Sequence, residues 1–372
     1  MSTTERKLFQ PLALGRANLG HRVVMAPLTR LRAEVPSDKP TPLMAEYYTQ
    51  RASEGGLIIT EATTVSCKSR GYLGAPGIYD DIHIGSWKQI TNAVHKKGGK
   101  IFLQLWHVGR VAHSDLIGGG APVGPSVTPY EGVAFTQNGW VPVTPNRALT
   151  LNEIKGVIEE YRAAARRALQ AGFDGVELHA ANGYLLDQFL QDGTNKRTDV
   201  YGGSVENRAR LLLEVFDAVA SVWDADRVGV RVSPSSSFNG MHDSNPEALY
   251  VHVATALADR GSAFLHVVEP RVIGSVDAEE WQPAVASALL RKHFAGPIIA
   301  AGGFDPESAG QIVASGDADA VAFGRHFIAN PDLPARIKRQ LPLNSYDRNT
   351  FYGGDAQGYT DYPFYQAAAA AA

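Results

Sequence analysis

A single cysteine, Cys67, among 372 residues excludes an internal disulfide and leaves too few thiolates for an iron–sulfur cluster or a cysteine-built zinc site. No metal is expected, and a reducing compartment fits. Excess charge of one sign is missing too: 35 basic against 38 acidic side chains give a formal net charge of −3, with no dense run of Lys and Arg. Nucleic acid and anionic membrane are therefore poor partners. No segment approaches the roughly 18 uninterrupted apolar residues of a membrane span, and the opening MSTTERKLFQPLALG lacks the apolar stretch of a secretion signal. The expectation is a soluble, cytoplasmic protein. A Gly-x-Gly-x-x-Gly turn between strand and helix is also absent, since Gly118-Gly119-Gly120 lies in a Pro-rich stretch without the final glycine. A separate Rossmann domain is not expected.

What the chain does contain is alternation. Short aliphatic or β-branched runs are spaced by long amphipathic segments: VVMAPLT (23–29), GLIITEATTV (56–65), KIFLQLW (100–106), GVELHA (175–180), VGVRVSP (228–234), FLHVVEP (264–270), PIIAAGG (297–303) and AVAFGR (320–325). Eight such runs predict an α/β fold, a closed (β/α)8 TIM barrel forming one domain over residues 1–366. The alanine run 367–372 has no packing logic and is set aside as a tail without native structure. Thr150 with Glu153 and Ser86 with Gln89 have capping-box spacing, and Asn245-Pro246 and Asp305-Pro306 place a capping side chain before a first-turn proline, so four helices are expected to begin there. Ile154, Ile158, Tyr161, Ala165 and Ala168 recur at helical intervals and predict a stripe laid on the sheet. Residues 1–22 precede the first strand and are expected to form a hairpin plugging the barrel bottom. Residues 108–149, rich in Gly and Pro, predict a long excursion after the third strand, on the face where such barrels keep their active sites.

The stretch 173–190, FDGVELHAANGYLLDQFL, organises the functional reading. Val176, Glu177 and Leu178 read as a buried strand ending at His179, and Asn182 and Tyr184 follow within six residues. Two N–H donors and a phenol at one strand end suit holding a carbonyl oxygen and delivering a proton beside it. A packed histidine, a turn-capping asparagine and a core tyrosine are the plain alternative. If the barrel closes, Pro27, Leu28, Thr29, Ala62, Gln104, Trp106, His179, Arg231, Gly302, Gly303, Gly324 and Arg325 share one mouth. That set suits a flat, polar, phosphorylated ring system, with the glycines and Arg325 where barrels of this kind hold phosphate. Arg231 inside an apolar strand calls for a partner, which is either the bound ring or a carboxylate such as Glu177.

The chain resembles the Old Yellow Enzyme family of FMN-dependent ene-reductases from residue 9 to residue 364. The resemblance rests on MAPLTR (25–30), EATTVS (61–66), QLWHVGR (104–110), HAANGY (179–184), DVYGGSVENRARL (199–211), RVSP (231–234), AGGF (301–304), AFGR (322–325) and FYGG with GYTDYP near the end. It implies non-covalent FMN in the barrel mouth and NAD(P)H as reductant, each nicotinamide and substrate taking its turn. By matching motif, Thr29 addresses the flavin near O4 and N5, Gln104 and Arg231 its pyrimidine side, and Gly303, Gly324 and Arg325 its phosphate. His179 and Asn182 grip the substrate oxygen, Tyr184 donates the proton, and Tyr72, Trp106 and Tyr352 line the substrate pocket. Met25 and Thr29 match the yeast and enteric branch rather than the branch with cysteine at the position of Thr29. The implied reaction moves a hydride from NAD(P)H through the flavin to the β-carbon of an α,β-unsaturated carbonyl or nitro compound; nitrate-ester or nitroaromatic reduction and isomerisation are the alternatives on this fold. Small-molecule substrate and nicotinamide are the partners expected, in a monomer or homodimer.

Overall fold

A computed structural model describes residues 7–274, 276–278 and 285–366 of the chain, and the alanine run lies outside the described residues. Eight parallel strands form the centre: β1 (Val23–Met25), β2 (Leu57–Ile59), β3 (Lys100–Trp106), β4 (Gly175–Ala180), β5 (Val228–Val232), β6 (Phe264–Val268), β7 (Ile298–Ala301) and β8 (Ala320–Phe323). They pair in the order 4-5-6-7-8-1-2-3, and β3 pairs back onto β4, so the sheet closes on itself. The eight sequence runs and the eight strands correspond. Several runs overshoot: the first strand stops at Met25, two residues before Pro27, which carries no backbone N–H for the ladder. The second run divides into Leu57–Ile59 and Thr63–Thr64, with Glu61 lying between them.

Strand alternation sorts the side chains into layers. The lower inward layer holds Phe102, Gly175, Gly229 and Phe264, and the next holds Gln104, Glu177, Arg231 and His266, each two residues further along its strand. Glycine is required in the lower layer by space. A Cβ at Gly175 would lie 2.5 Å from the Phe102 ring, and one at Gly229 would lie 2.1 Å from the Phe264 ring. Beneath this layer the antiparallel pair Leu12–Leu14 and Ala17–Leu19 packs Leu14 and Leu19 against Val24, Leu57, Phe102 and Phe264. Its ends are tied by Arg16 N–H donating to the Asp226 carbonyl at 3.0 Å and Gly20 N–H to the Gly55 carbonyl at 2.8 Å. The expected plug is present.

Three of the four expected helix starts hold. Thr150 and Glu153 form the capping box of Leu151–Gln170, and Asn245 and Asp305 cap Pro246–Asp259 and Pro306–Ser315 through their side chains. Ser86 is the exception, since it lies inside the helix Ile82–Lys96, which begins after Asp81. The buried face of that helix starts one turn earlier than its apolar residues suggest, because His83 is fully buried and bonds the Ser37 carbonyl at 2.9 Å. On Leu151–Gln170, Ile154, Tyr161, Ala165 and Ala168 are buried as expected, while Val157 and Ala164 share the inner face with a partly exposed Ile158. Among the described residues no helix is long and apolar enough to cross a membrane.

The mouth is finished by two segments outside the repeat. In the excursion after β3, the hairpin Val133–Thr136 with Gly139–Pro142 docks on the loop after β2, where Leu73 N–H donates to the Phe135 carbonyl at 2.7 Å. The C-terminal residues 351–361 return to the mouth as a strap held by buried arginines. Arg30 Nε donates to the Phe351 carbonyl at 2.8 Å, Arg51 Nη2 to the Tyr359 carbonyl at 3.0 Å, and the Tyr47 and Tyr359 rings stack at 4.0 Å.

Gly229→Ala is expected to cost about 2–3 kcal/mol through overpacking against Phe264. A urea denaturation midpoint equal to that of the wild type would contradict the layer assignment.

Candidate active site

At the carboxyl ends of the strands opens a cavity of about 770 Å³. Its wall includes Pro27, Leu28 and Thr29 after β1, Asn182 and Tyr184 after β4, Arg231 on β5, Gly302 and Gly303 after β7, and Gly324 and Arg325 after β8, with Tyr72, Trp140 and Tyr352 toward the outside. Segments distant in sequence therefore converge, as expected. Ala62, Gln104, Trp106 and His179, expected at the same mouth, are buried and do not line this cavity. Trp106 stacks on Tyr72 at 5.7 Å and meets the Tyr184 ring edge-on at 4.9 Å, and the His179 ring lies 5.0 Å from that of Tyr184. The sequence reading missed Trp140, whose ring lies edge-on to Tyr72 and to Tyr352, at 5.9 Å from each. It is half exposed on the excursion hairpin, and only the docking of that hairpin brings it to the mouth.

The turn after β4 is held in one conformation by its backbone. Asn182 has φ +56° and Gly183 φ +73°, the left-handed region that asparagine and glycine tolerate. Asn182 N–H donates to Ser233 Oγ at 2.7 Å, its carbonyl accepts from Asn239 Nδ2 at 2.9 Å, and Gly183 N–H donates to Asp187 Oδ2 at 2.8 Å. The fixed turn carries Asn182 and Tyr184 onto the wall. Ala181 N–H donates to His179 Nδ1 at 3.4 Å, so that nitrogen is the acceptor and Nε2 carries the proton. Burial, reinforced by Arg231 and His266, holds the imidazole well below its usual range, leaving it a neutral donor at physiological pH. Burial also raises the Tyr184 phenol, which keeps its proton and lies 3.4 Å from the Tyr72 hydroxyl.

Below the cavity the second inward layer is polar throughout. Gln104 Nε2 donates to Glu177 Oε1 at 2.7 Å, and His266 Nδ1 donates to Glu177 Oε2 at 2.7 Å. Arg231 is not ion-paired with Glu177, and its buried Nε has no hydrogen-bond partner among the described residues. An apolar strand thus carries a cation whose donors are available to the cavity. The sequence reading missed His266, although its position inside FLHVVEP parallels that of Arg231 inside VGVRVSP, and counting inward positions on both strands finds it. Also missed was Glu61, which accepts from Arg30 N–H at 3.2 Å and Tyr48 Oη at 3.1 Å and so anchors the loop after β1. Burial pushes its carboxyl up to about 7.

At the other end of the cavity Gly302 and Gly303 have φ +123° and +63°, conformations that favour glycine and expose backbone N–H groups. Arg325 is here, but it is engaged: its Nη1 donates to Asp277 Oδ2 at 2.9 Å, a carboxylate the sequence reading did not include. One cavity is thus lined by the Arg231 cation, by Thr29, Asn182 and Tyr184 as hydrogen-bonding groups, and by glycines with a second guanidinium. A flat ring system with a phosphate tail fits it, on the evidence of the unpartnered Arg231 donor and the left-handed glycines.

A model of the NADH:flavin oxidoreductase / NADH oxidase family matches residues 7–344. The flavin oxidoreductase hxnT of Emericella nidulans is 48% identical over 380 residues, covering 96% of this chain and 98% of the relative. The 12-oxophytodienoate reductase 1 of Oryza sativa subsp. japonica is also 48% identical, over 365 residues, covering 96% and 93%. Among solved structures, morphinone reductase in complex with tetrahydroNAD superposes with a TM-score of 0.89 at 48% identity, covering 96% of this chain and 98% of that one. The old yellow enzyme homologue from Zymomonas mobilis gives a TM-score of 0.91 at 45% identity, covering 96% and 99%.

Asp187, which holds the Gly183 N–H, also accepts from Gln191 Nε2 at 2.8 Å and Tyr250 Oη at 3.0 Å; burial pushes its carboxyl up to about 6 from 3.8. Its contribution to stability is complete below the lower value and lost as pH rises through the upper one, since the folded chain keeps the proton longer. Relative to Asp187→Asn, the wild type should therefore lose roughly 3 kcal/mol between pH 4 and pH 7. Parallel stability curves for the two proteins in urea across that range would contradict the assignment.

Proposed function

Because this chain belongs to the NADH:flavin oxidoreductase / NADH oxidase family, in its Old Yellow Enzyme lineage, we propose that its barrel mouth reduces the C=C bond of alkenes conjugated to a carbonyl or nitro group. The family is FMN-dependent and takes its electrons from a nicotinamide. When bound, FMN supplies the hydride relay between that nicotinamide and the alkene β-carbon. The protein's own residues do the rest. Pro27, Leu28, Thr29 and Ala62 would hold one edge of the ring, Gln104 and Arg231 its pyrimidine side, and Gly302, Gly303, Gly324 and Arg325 the phosphate. For that phosphate to reach Arg325, Asp277 has to yield its place on the guanidinium.

His179 and Asn182 bind the substrate oxygen, where negative charge accumulates as the β-carbon is reduced. Their N–H donors stabilise that oxygen more in the transition state than in the ground state, which is the condition for acceleration. Tyr184 delivers a proton to the α-carbon, a general-acid role that its buried, protonated phenol suits. Tyr72, Trp106 and Tyr352 flank the substrate with aromatic surface. The observation that carries this reading is the fixed turn 179–184, which gathers an imidazole, a carboxamide and a phenol beside a cavity lined by Arg231, whose Nε has no hydrogen-bond partner among the described residues. A protonated Tyr184 favours reduction over isomerisation. Relatives named for 12-oxophytodienoate and for chanoclavine-I aldehyde share the same 48% identity with this chain, so overall similarity does not choose the alkene.

The test is anaerobic reduction of the yellow holoenzyme by NADH and NADPH, then reoxidation by cyclohexenone, a maleimide or a nitrate ester. Tyr184→Phe should slow reoxidation by cyclohexenone about a hundredfold while flavin reduction stays within about twofold of wild type. Asn182→Ala should also cost about a hundredfold in the reoxidation step. Equal loss in both half-reactions, or a purified protein without flavin absorbance, would overturn the assignment.

A further inference from the structure

We infer that Glu177 is a positioning residue for the ring-binding end of the cavity, fixing the Gln104 amide and setting the electric field that Arg231 presents to the bound ring. The inference rests on FMN occupying the mouth. Strand register places the groups: Glu177 lies opposite Gln104 across β4 and β3, and His179, Arg231 and His266 face one another in a row across β4, β5 and β6. All project inward, and Glu177 and His266 are fully buried.

A carboxylate taken out of water is costly unless its oxygens are bonded, and here both are. Its two donors are Gln104 and His266, both uncharged, rather than the neighbouring guanidinium. Two consequences follow. A carboxylate only accepts, so the Gln104 nitrogen must face Glu177 and the amide carbonyl is turned away, free to accept from the ring. The charge of Glu177 also balances that of Arg231 through space without occupying its donors, so the guanidinium is compensated and still available.

His266 does not alter this balance. Its Nδ1–H is committed to Glu177, its Nε2 is buried with no hydrogen-bond partner among the described residues, and burial holds the ring below its usual range and so neutral. The layer therefore carries one negative and one positive charge, and the same burial that disfavours the Arg231 cation is opposed by Glu177. Removing the negative charge leaves an uncompensated cation beneath the ring, which favours the electron-rich, reduced state.

The experiment compares the flavin midpoint potential of wild-type, Glu177→Gln and Glu177→Asp holoenzymes by equilibration with redox dyes, alongside thermal midpoints. Glu177→Gln should shift the two-electron equilibrium toward reduced flavin by about tenfold, equivalent to about 30 mV. Glu177→Asp, which keeps the charge but withdraws it by one methylene, should shift it in the same direction by a smaller factor, about threefold. A Glu177→Gln potential equal to that of the wild type, even with a lowered thermal midpoint, makes the residue merely structural and overturns the inference. If the glutamine variant does not fold, the aspartate variant decides alone, an unchanged potential again overturning it. A wild type that takes up no FMN would instead sink the proposed function, whereas normal wild-type flavin with unchanged variants sinks only the role of Glu177.

Discussion

Closure of eight parallel strands into a barrel fixes which side chains meet, and the site depends on that constraint. Once Glu177 is registered against Gln104 and His179 against Arg231, the two-residue period of each strand assigns inward layers without further choice. Phenylalanines and glycines fill the lowest layer, polar groups the next, and the strand ends open into the cavity. The chemistry sits on an apolar floor. That order keeps water from below the polar layer, where a bonded carboxylate and an uncommitted guanidinium act on each other through a medium of low polarity.

Above the floor the cavity wall passes to loops, and their anchoring differs from that of the strands. The turn 179–184 is held by side chains from three places, Ser233, Asn239 and Asp187, so a short loop acquires the rigidity of a strand end. The excursion hairpin contributes Trp140 through backbone pairing with the loop after β2, and the C-terminal strap contributes Tyr352. Together they border that part of the cavity with aromatic rings. The part at Gly302, Gly303 and Arg325 is built from backbone and paired charge instead, so one cavity presents two kinds of surface.

Much of this was legible in the sequence because it is locally written. GVELHA and KIFLQLW coincide with their strands to the residue, and Thr150, Asn245 and Asp305 announce their helices through capping chemistry that needs no distant partner. Where the reading failed, tertiary contacts decide. Ser86 has the spacing of a cap, yet burial of His83 starts the helix a turn earlier. His266 looks like an interruption of an apolar strand until the register sets it against Arg231. Asp277 and Trp140 come from segments with no periodicity to announce them, and their placement follows from ion pairing and docking across the mouth.

The arginines that fasten the C-terminal strap grip main-chain carbonyls at Phe351, Gly358 and Tyr359 and lie over the Phe351 and Tyr359 rings, so the side chains they hold are those at its two ends rather than those between. Such a grip is blind to what the intervening residues carry. The path of the chain past the cavity is thereby uncoupled from the identity of position 352, and one border of the cavity becomes an interchangeable panel, open to refitting while the frame that bears it stays bolted down.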